Sequence, residues 1–275
     1  MRKIVKFKFF LILLVASVTC RGQNDPVGAR PAAMGNAVLN ATDIWSAFHN
    51  QAGLAHLDHF SAGAFYENKF LISEMAYSGI GLASPLGAGT IGLSFSNFGF
   101  SVYGESKLGL SYALKLSERF SIGVQANYHN TVIQTEDYGS TNTFTAEIGF
   151  RHQVSDRVSL AAHIFNPTRS QLNEYNDERL PTILRFGAQY DISEELIVTG
   201  EVEKDIDEPA LLRAGLEYRP VDVLYIRLGA SSQPSLFAFG LGINLGQFQF
   251  DLASTYHSVL GYSPQVSLSF LPGSE

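Results

Sequence analysis

Few residues in this chain stand where they could act together chemically. The main group is Arg185, Glu201, Glu203, Arg213, Glu217 and Arg227, which share one phase of a period-2 pattern on four successive segments with alternating sign. Neighbouring strands lie about 4.8 Å apart, so such side chains can form a ladder across a sheet. That ladder is either a salt-bridge network that also holds an interior segment or a polar track along a solute path. Catalysis needs a nucleophile, a base and an orienting group within mutual reach. No such set recurs at a recognisable spacing, and no enzyme is predicted.

The other candidates are weaker. His49, His56 and His59 lack cysteine or acidic partners at ligand spacing. Asp205, Asp207 and Glu208 form an acidic hairpin tip without the glycine and spaced ligands of a calcium loop. Gly87, Gly89 and Gly92 match a dinucleotide fingerprint, but that motif must open a helix, and Leu93, Phe95 and Phe98 continue a strand-like pattern. The sequence predicts neither a metal site nor a cofactor.

The elements that position these residues are strands. In 120–129, Phe120, Ile122, Val124, Ala126 and Tyr128 alternate with Ser121, Gly123, Gln125, Asn127 and His129, the pattern of a strand with one apolar face. The same rhythm gives fourteen segments, near 60–67, 72–84, 88–97, 105–116, 119–131, 142–153, 157–165, 181–191, 195–204, 210–218, 222–230, 235–243, 246–256 and 263–271. Most have about the 9 to 11 residues that a tilted strand needs to cross the hydrocarbon layer of a membrane.

Composition separates a membrane barrel from a soluble β-protein. Only 16% of the 275 residues are charged, against about 25% in an ordinary soluble domain. The apolar phase of the quoted strands carries no charge, while the polar phase is rich in Gly, Ser and Thr. Aromatic residues gather at strand ends in the apolar phase (Phe120 and Tyr128, Phe144 and Phe150, Phe248 and Tyr256), as in the girdles of outer-membrane barrels. Longer links (98–104, 132–141, 166–180, 205–209, 231–234, 257–262) alternate with tight ones, which puts both ends of the barrel on the tight-turn, periplasmic side. The longest link contains Asn173, Glu174, Asp177, Glu178 and Arg179, the best place for a partner contact on a rigid barrel.

The N-terminus reads as an export signal. Arg2, Lys3, Lys6 and Lys8 precede the apolar run from Phe9 to Val18, and small or polar residues follow. Cleavage after Gly22 is expected, with lipidation of Cys20 as the alternative. Removal of residues 1–22 takes five basic residues and no acid, moving the formal net charge from −7 to −12. So acidic a chain is not expected to bind nucleic acid.

Residues 23–58 do not alternate. They include Gly28-Ala-Arg30-Pro-Ala-Ala-Met-Gly35-Asn-Ala37, then Asp43 and Asn50-Gln51-Ala52-Gly53-Leu54-Ala55. Small residues let a backbone pack closely, and a lumen of fourteen strands is too wide for wall side chains alone to fill. A plug segment at 23–58 within a barrel of 59–275 follows, with Gly28, Arg30, Gly35, Asn50, Gln51, Ala52 and Gly53 as plug or gating candidates.

This pattern resembles the N-terminus of the PorV/PorQ family of Bacteroidetes, and more distantly the FadL-type fatty-acid transporters. The family pattern has G-A-R-x-x-A-M-G-x-A and then N-P-A-G-L-A; Gln51 stands here where proline is usual. The resemblance covers residues 28–55 closely. It implies a fourteen-stranded outer-membrane barrel with an inserted N-terminus. For PorV-like members it also implies a role in type IX secretion, with outer-membrane lipid and secretion-system proteins or secreted cargo as partners. The expected function is therefore docking for that system, because the loops are short. A FadL-like channel for a hydrophobic small molecule is the alternative.

Overall fold

The computed structural model describes residues 26–134, 139–173 and 178–272. The expected signal segment 1–22 lies outside them, as do Glu174 and Asp177.

Fourteen antiparallel strands close into a barrel. In chain order they are β1 (Ser61–Asn68), β2 (Ala76–Leu86), β3 (Gly89–Gly99), β4 (Tyr103–Ser117), β5 (Phe120–Ile133), β6 (Gly139–Ser155) and β7 (Val158–Phe165). A two-stranded ribbon, β8 (Gln171–Asn173) with β9 (Glu178–Arg179), forms a separate small sheet. The wall resumes with β10 (Ile183–Asp191), β11 (Leu196–Asp205), β12 (Leu211–Val221), β13 (Leu224–Ser232), β14 (Ser235–Leu245), β15 (Phe248–His257) and β16 (Gly261–Phe270). β1 pairs with both β2 and β16, so no strand edge is left exposed.

Each strand predicted from alternation is present, and the phase decides the faces. Ile91, Leu93 and Phe95 of β3 are exposed, while Ser94 and Ser96 between them are buried. Apolar residues thus form the outer wall and polar residues line the interior, the inversion that a hydrocarbon surround requires. Two aromatic bands ring the outside. Phe120–Phe150 and Phe248–Phe270 pair at the tight-turn end, and Tyr128–Phe144 and Tyr256–Tyr262 at the other, with ring centroids between 4.9 and 6.3 Å apart.

The tight turns fall at 87–88, 118–119, 156–157, 192–195, 222–223 and 246–247, and β1 begins and β16 ends at that same end. The opposite loops are shorter than alternation suggested. Residues 100–102 and 233–234 are all that separate β3 from β4 and β13 from β14. Cross-strand pairing satisfies the backbone of polar residues as readily as that of apolar ones, so the ladders continue past the apolar band.

Candidate functional site

Residues 26–58 pack inside the barrel. Helix α1 (Ala29–Ala33) follows Gly28, whose φ of 96° is one that L side chains avoid. A Cβ there would also lie 2.9 Å from the Trp45 ring. Helix α2 (Ser46–His49) leads through Asn50 into a 3₁₀ turn, Gln51–His56. The Asn50 carboxamide caps that turn by accepting from the Ala52 amide at 3.3 Å, while its Nδ2 donates to the carbonyls of Leu39 (2.9 Å) and Phe150 (3.1 Å). Ala52 is fully buried, and Gly53 sits so close to Ala41 that a Cβ would fall 2.1 Å from the Ala41 carbonyl.

The glycine surplus of the polar phase has a location: inward glycines of the wall are where the plug touches it. A Cβ on Gly229 would lie 2.0 Å from the Gly35 amide, and one on Gly149 would lie 1.9 Å from Asn50 Oδ1. Gly215 meets Met34, Gly123 meets Gln51 and Gly92 meets Leu54 in the same way. Gly123 faces Gly149 and Gly215 faces Gly229 across adjacent strands, so two-strand patches of bare backbone receive the plug.

The charge ladder divides in two around this contact. Towards the loop end, Arg185 donates to Glu203 (2.8 Å), and Arg213 binds Glu201 (2.9 Å) and Glu203 (2.8 Å). Towards the tight-turn end, Arg227 binds Glu217 (2.5 Å) and Asp251 (2.6 Å). Arg30 of the plug joins this second group, donating to both Glu217 oxygens (2.9 and 3.0 Å) and to Asp43 (2.5 Å). Burial works against the Arg30 charge, but Glu217 and Asp43 outweigh it and hold the guanidinium firmly protonated. A polar cavity of about 260 Å³ opens beside this group, lined by Arg30, Asp43, Arg151, Glu217, Tyr225 and Arg227 among others.

A third cluster escaped the sequence reading. Glu147 of β6 accepts from Lys107 (2.7 Å), Asn127 (2.8 Å), His163 (2.9 Å) and Gln51 of the plug (3.0 Å). Its wall members lie on β4 to β7, too far apart in sequence for spacing to betray them; their only shared signal is that each occupies the polar phase of its strand. Gln51, where the PorV/PorQ pattern has proline, gives the plug a side-chain donor to the wall that proline lacks.

The remaining candidates separate. His49 is buried, and burial pushes its pKa down to about 3, so the neutral ring donates from Nε2 to the Val27 carbonyl at 2.9 Å. His56 contacts Ser121 Oγ at 3.3 Å and His59 is exposed. Among the described residues no group of three or more His, Cys, Asp or Glu could hold a metal ion. Asp205 accepts from the Asp207 amide within its hairpin. Gly87 is the positive-φ residue of the β2–β3 turn, and Gly89–Gly99 is strand, with no helix following.

One patch of the interior, where the plug meets β1 to β3, is apolar. Trp45 and Phe48 of the plug pack with Phe65 of β1, Tyr77 of β2 and Phe98 of β3, mostly edge to face with centroids 5.3 to 6.3 Å apart. Phe65, Tyr77 and Phe98 are inward and nearly fully buried. Barrel interiors are ordinarily polar, so this packed aromatic cluster is the site's distinguishing feature. Its sequence signal was phase: Phe98 alternates in step with Ser94 and Ser96, not with Phe95.

A closed fourteen-stranded wall with an N-terminal segment folded inside it matches a known architecture. The chain superposes on the toluene transporter TodX of P. putida with a TM-score of 0.67 and 11% identity, covering 90% of this chain and 98% of that one. The toluene transporter TbuX of Ralstonia pickettii gives 0.67 and 11%, covering 90% and 97%. A Pseudomonas aeruginosa FadL homologue gives 0.66 and 11%, covering 91% and 99%. This is the FadL-type barrel fold. No family model and no curated protein matches the sequence. The FadL-like fold corrects the expectation of a type IX secretion component, because its structural neighbours include a monoaromatic hydrocarbon channel and toluene transporters. That expectation rested on a 28-residue plug pattern and on short loops. Loop length says nothing of an aromatic cluster built from inner strand faces.

Proposed function

We propose that the protein is an outer-membrane channel for a hydrophobic small molecule, exported by the signal at 1–22 and surrounded by outer-membrane lipid. The observation that carries this reading is the aromatic cluster of Trp45, Phe48, Phe65, Tyr77 and Phe98, an apolar patch packed between plug and wall inside a barrel otherwise faced by charge and hydroxyls. Desolvated aromatic rings offer a small apolar solute dispersion and edge-to-face contacts. The titles of the fold neighbours, monoaromatic hydrocarbon channel and toluene transporter, point the same way. The PorV/PorQ-like plug pattern supports a Bacteroidetes-type origin for this barrel.

Trp45 is the only tryptophan, so its emission reports the cluster directly. Titration of the detergent-solubilised protein with toluene should quench or shift that emission saturably, and cells lacking the protein should accumulate the solute more slowly. Unchanged emission together with unchanged uptake overturns the channel reading.

A further inference from the structure

Arg151 of β6 reaches from the wall to the plug near the tight-turn end of the barrel. Its Nε donates to the Asn40 carbonyl (3.1 Å) and its Nη2 to Gln153 Oε1 (2.8 Å), both neutral acceptors. The residue is only 8% exposed. Asp191, whose field reaches it, stands beyond ion-pair distance and accepts from Gln189 instead (2.8 Å). Arg30, Arg185, Arg213 and Arg227, by contrast, each meet at least one carboxylate directly. A buried charge is costly unless it is paired, and Arg151 has hydrogen bonds without a counter-ion.

The polar cavity of about 260 Å³ is bounded by this guanidinium. That volume is several times the roughly 30 Å³ a water molecule takes up in the liquid, so a molecule of a few non-hydrogen atoms fits. Both acids of the lining are already engaged: Glu217 by Arg30 and Arg227, Asp43 by Arg30 and the Trp45 amide. The uncommitted charge facing the cavity is therefore that of Arg151. Two nearby carboxylates repel a second negative charge on any occupant, which favours a monoanion over a phosphate or sulfate dianion. A planar carboxylate is the natural partner of a guanidinium.

We propose that this cavity binds a small hydrophilic monocarboxylate of the hydroxy-acid class, with Arg151 as its counter-ion and the polar side chains of Thr42, Gln189 and Gln249 available to its hydroxyl. The plug contributes Arg30, Asn40, Thr42 and Asp43 to the lining and the barrel the rest. An occupant therefore touches both, and by linkage it stabilises the docked plug over a released one. The site is an effector site separate from the aromatic cluster, and it does not depend on the channel reading.

The test is titration calorimetry of the full chain in detergent micelles at fixed ionic strength, with four probes: lactate, its neutral isostere lactamide, propionate, which lacks the hydroxyl, and sulfate. Lactate should bind saturably at one site per chain, about tenfold or more tighter than lactamide or sulfate and more tightly than propionate. Arg151→Gln should weaken lactate about tenfold and leave lactamide unchanged. Lactate should also raise the denaturant midpoint of Trp45 emission in the wild type and not in Arg151→Gln. Should that variant not fold, the ranking of the four probes on the wild type decides alone. Equal binding of lactate and lactamide, or undiminished lactate binding in Arg151→Gln, overturns the proposal and leaves Arg151 as a clamp on the plug backbone. Sulfate or propionate binding more tightly than lactate overturns the assigned ligand class.

Discussion

Arg30 and Glu217 meet as a fork: Nε and Nη2 of the plug guanidinium donate to the two oxygens of a carboxylate 187 residues further along the chain, at 2.9 and 3.0 Å. Two parallel charge-assisted bonds fix orientation as well as distance. Arg227 holds the same carboxylate from β13, and Asp43 holds the same guanidinium from within the plug. The plug is thereby part of the charge network of the wall.

Arg30→Ala should loosen the plug by about 2–3 kcal/mol, somewhat below the range for breaking a fully buried pair because the Arg30 side chain retains some exposure. The denaturant midpoint of Trp45 emission should fall, while the electrophoretic heat-modifiability of the barrel persists. Arg30→Lys, which keeps the charge and loses the fork, should lie between. An unchanged midpoint in Arg30→Ala would show that the fork contributes nothing to docking.

Wall glycines at the plug contact should tolerate no side chain. Gly229→Val and Gly149→Val place atoms where the Gly35 amide and the Asn50 carboxamide already sit, so each should expel part of the plug and shift Trp45 emission to the red. Gly200→Ala is the control, since Gly200 faces outward with nothing within 4 Å of a Cβ. Equal spectra for all three variants would refute docking on bare backbone.

Apolar binding should track the cluster. Phe98→Ala removes one ring of it and should weaken toluene binding about tenfold, whereas Phe95→Ala, one ring outward on the same strand, should not. Comparable losses in the two would argue for partition into the detergent belt.

Acid should weaken docking of the plug. His49 is neutral when docked, its pKa pushed down to about 3 by burial, whereas a released His49 titrates near 6.5. Between those values the released form binds a proton that the docked form refuses, so docking stability rises with pH. It is fully present above about pH 6.5 and declines as pH falls towards 3. His56, pushed down to about 4 by burial, adds in the same direction. Trp45 emission followed from pH 8 to pH 4 should show the loss, and His49→Gln should flatten it; an identical slope in the variant would assign the effect elsewhere.

Alternation, charge deficit and glycine content were enough to read the barrel and its fourteen strands, because side-chain direction in a strand has a fixed period of two and only a hydrocarbon surround puts the apolar phase outside. The same rule placed Arg185, Glu201, Glu203, Arg213, Glu217 and Arg227 on one inner face. Which of them meet was not legible. Arg213 and Glu217 share a strand face, yet each is bonded to other strands and to opposite sides of the plug contact. Glu147 gathers Lys107, His163 and Gln51 from three separate segments.

The sequence by itself determined the strands, their faces and the non-alternating segment that must fill the lumen, since all three follow from local period and from volume. Only the tertiary structure decided that Phe65, Tyr77 and Phe98 adjoin Trp45 and Phe48, and that bare glycines receive the plug. Those are contacts between strands brought together by barrel closure and a segment folded back inside. Their partners are set by register and by the path of the plug, which no local pattern encodes.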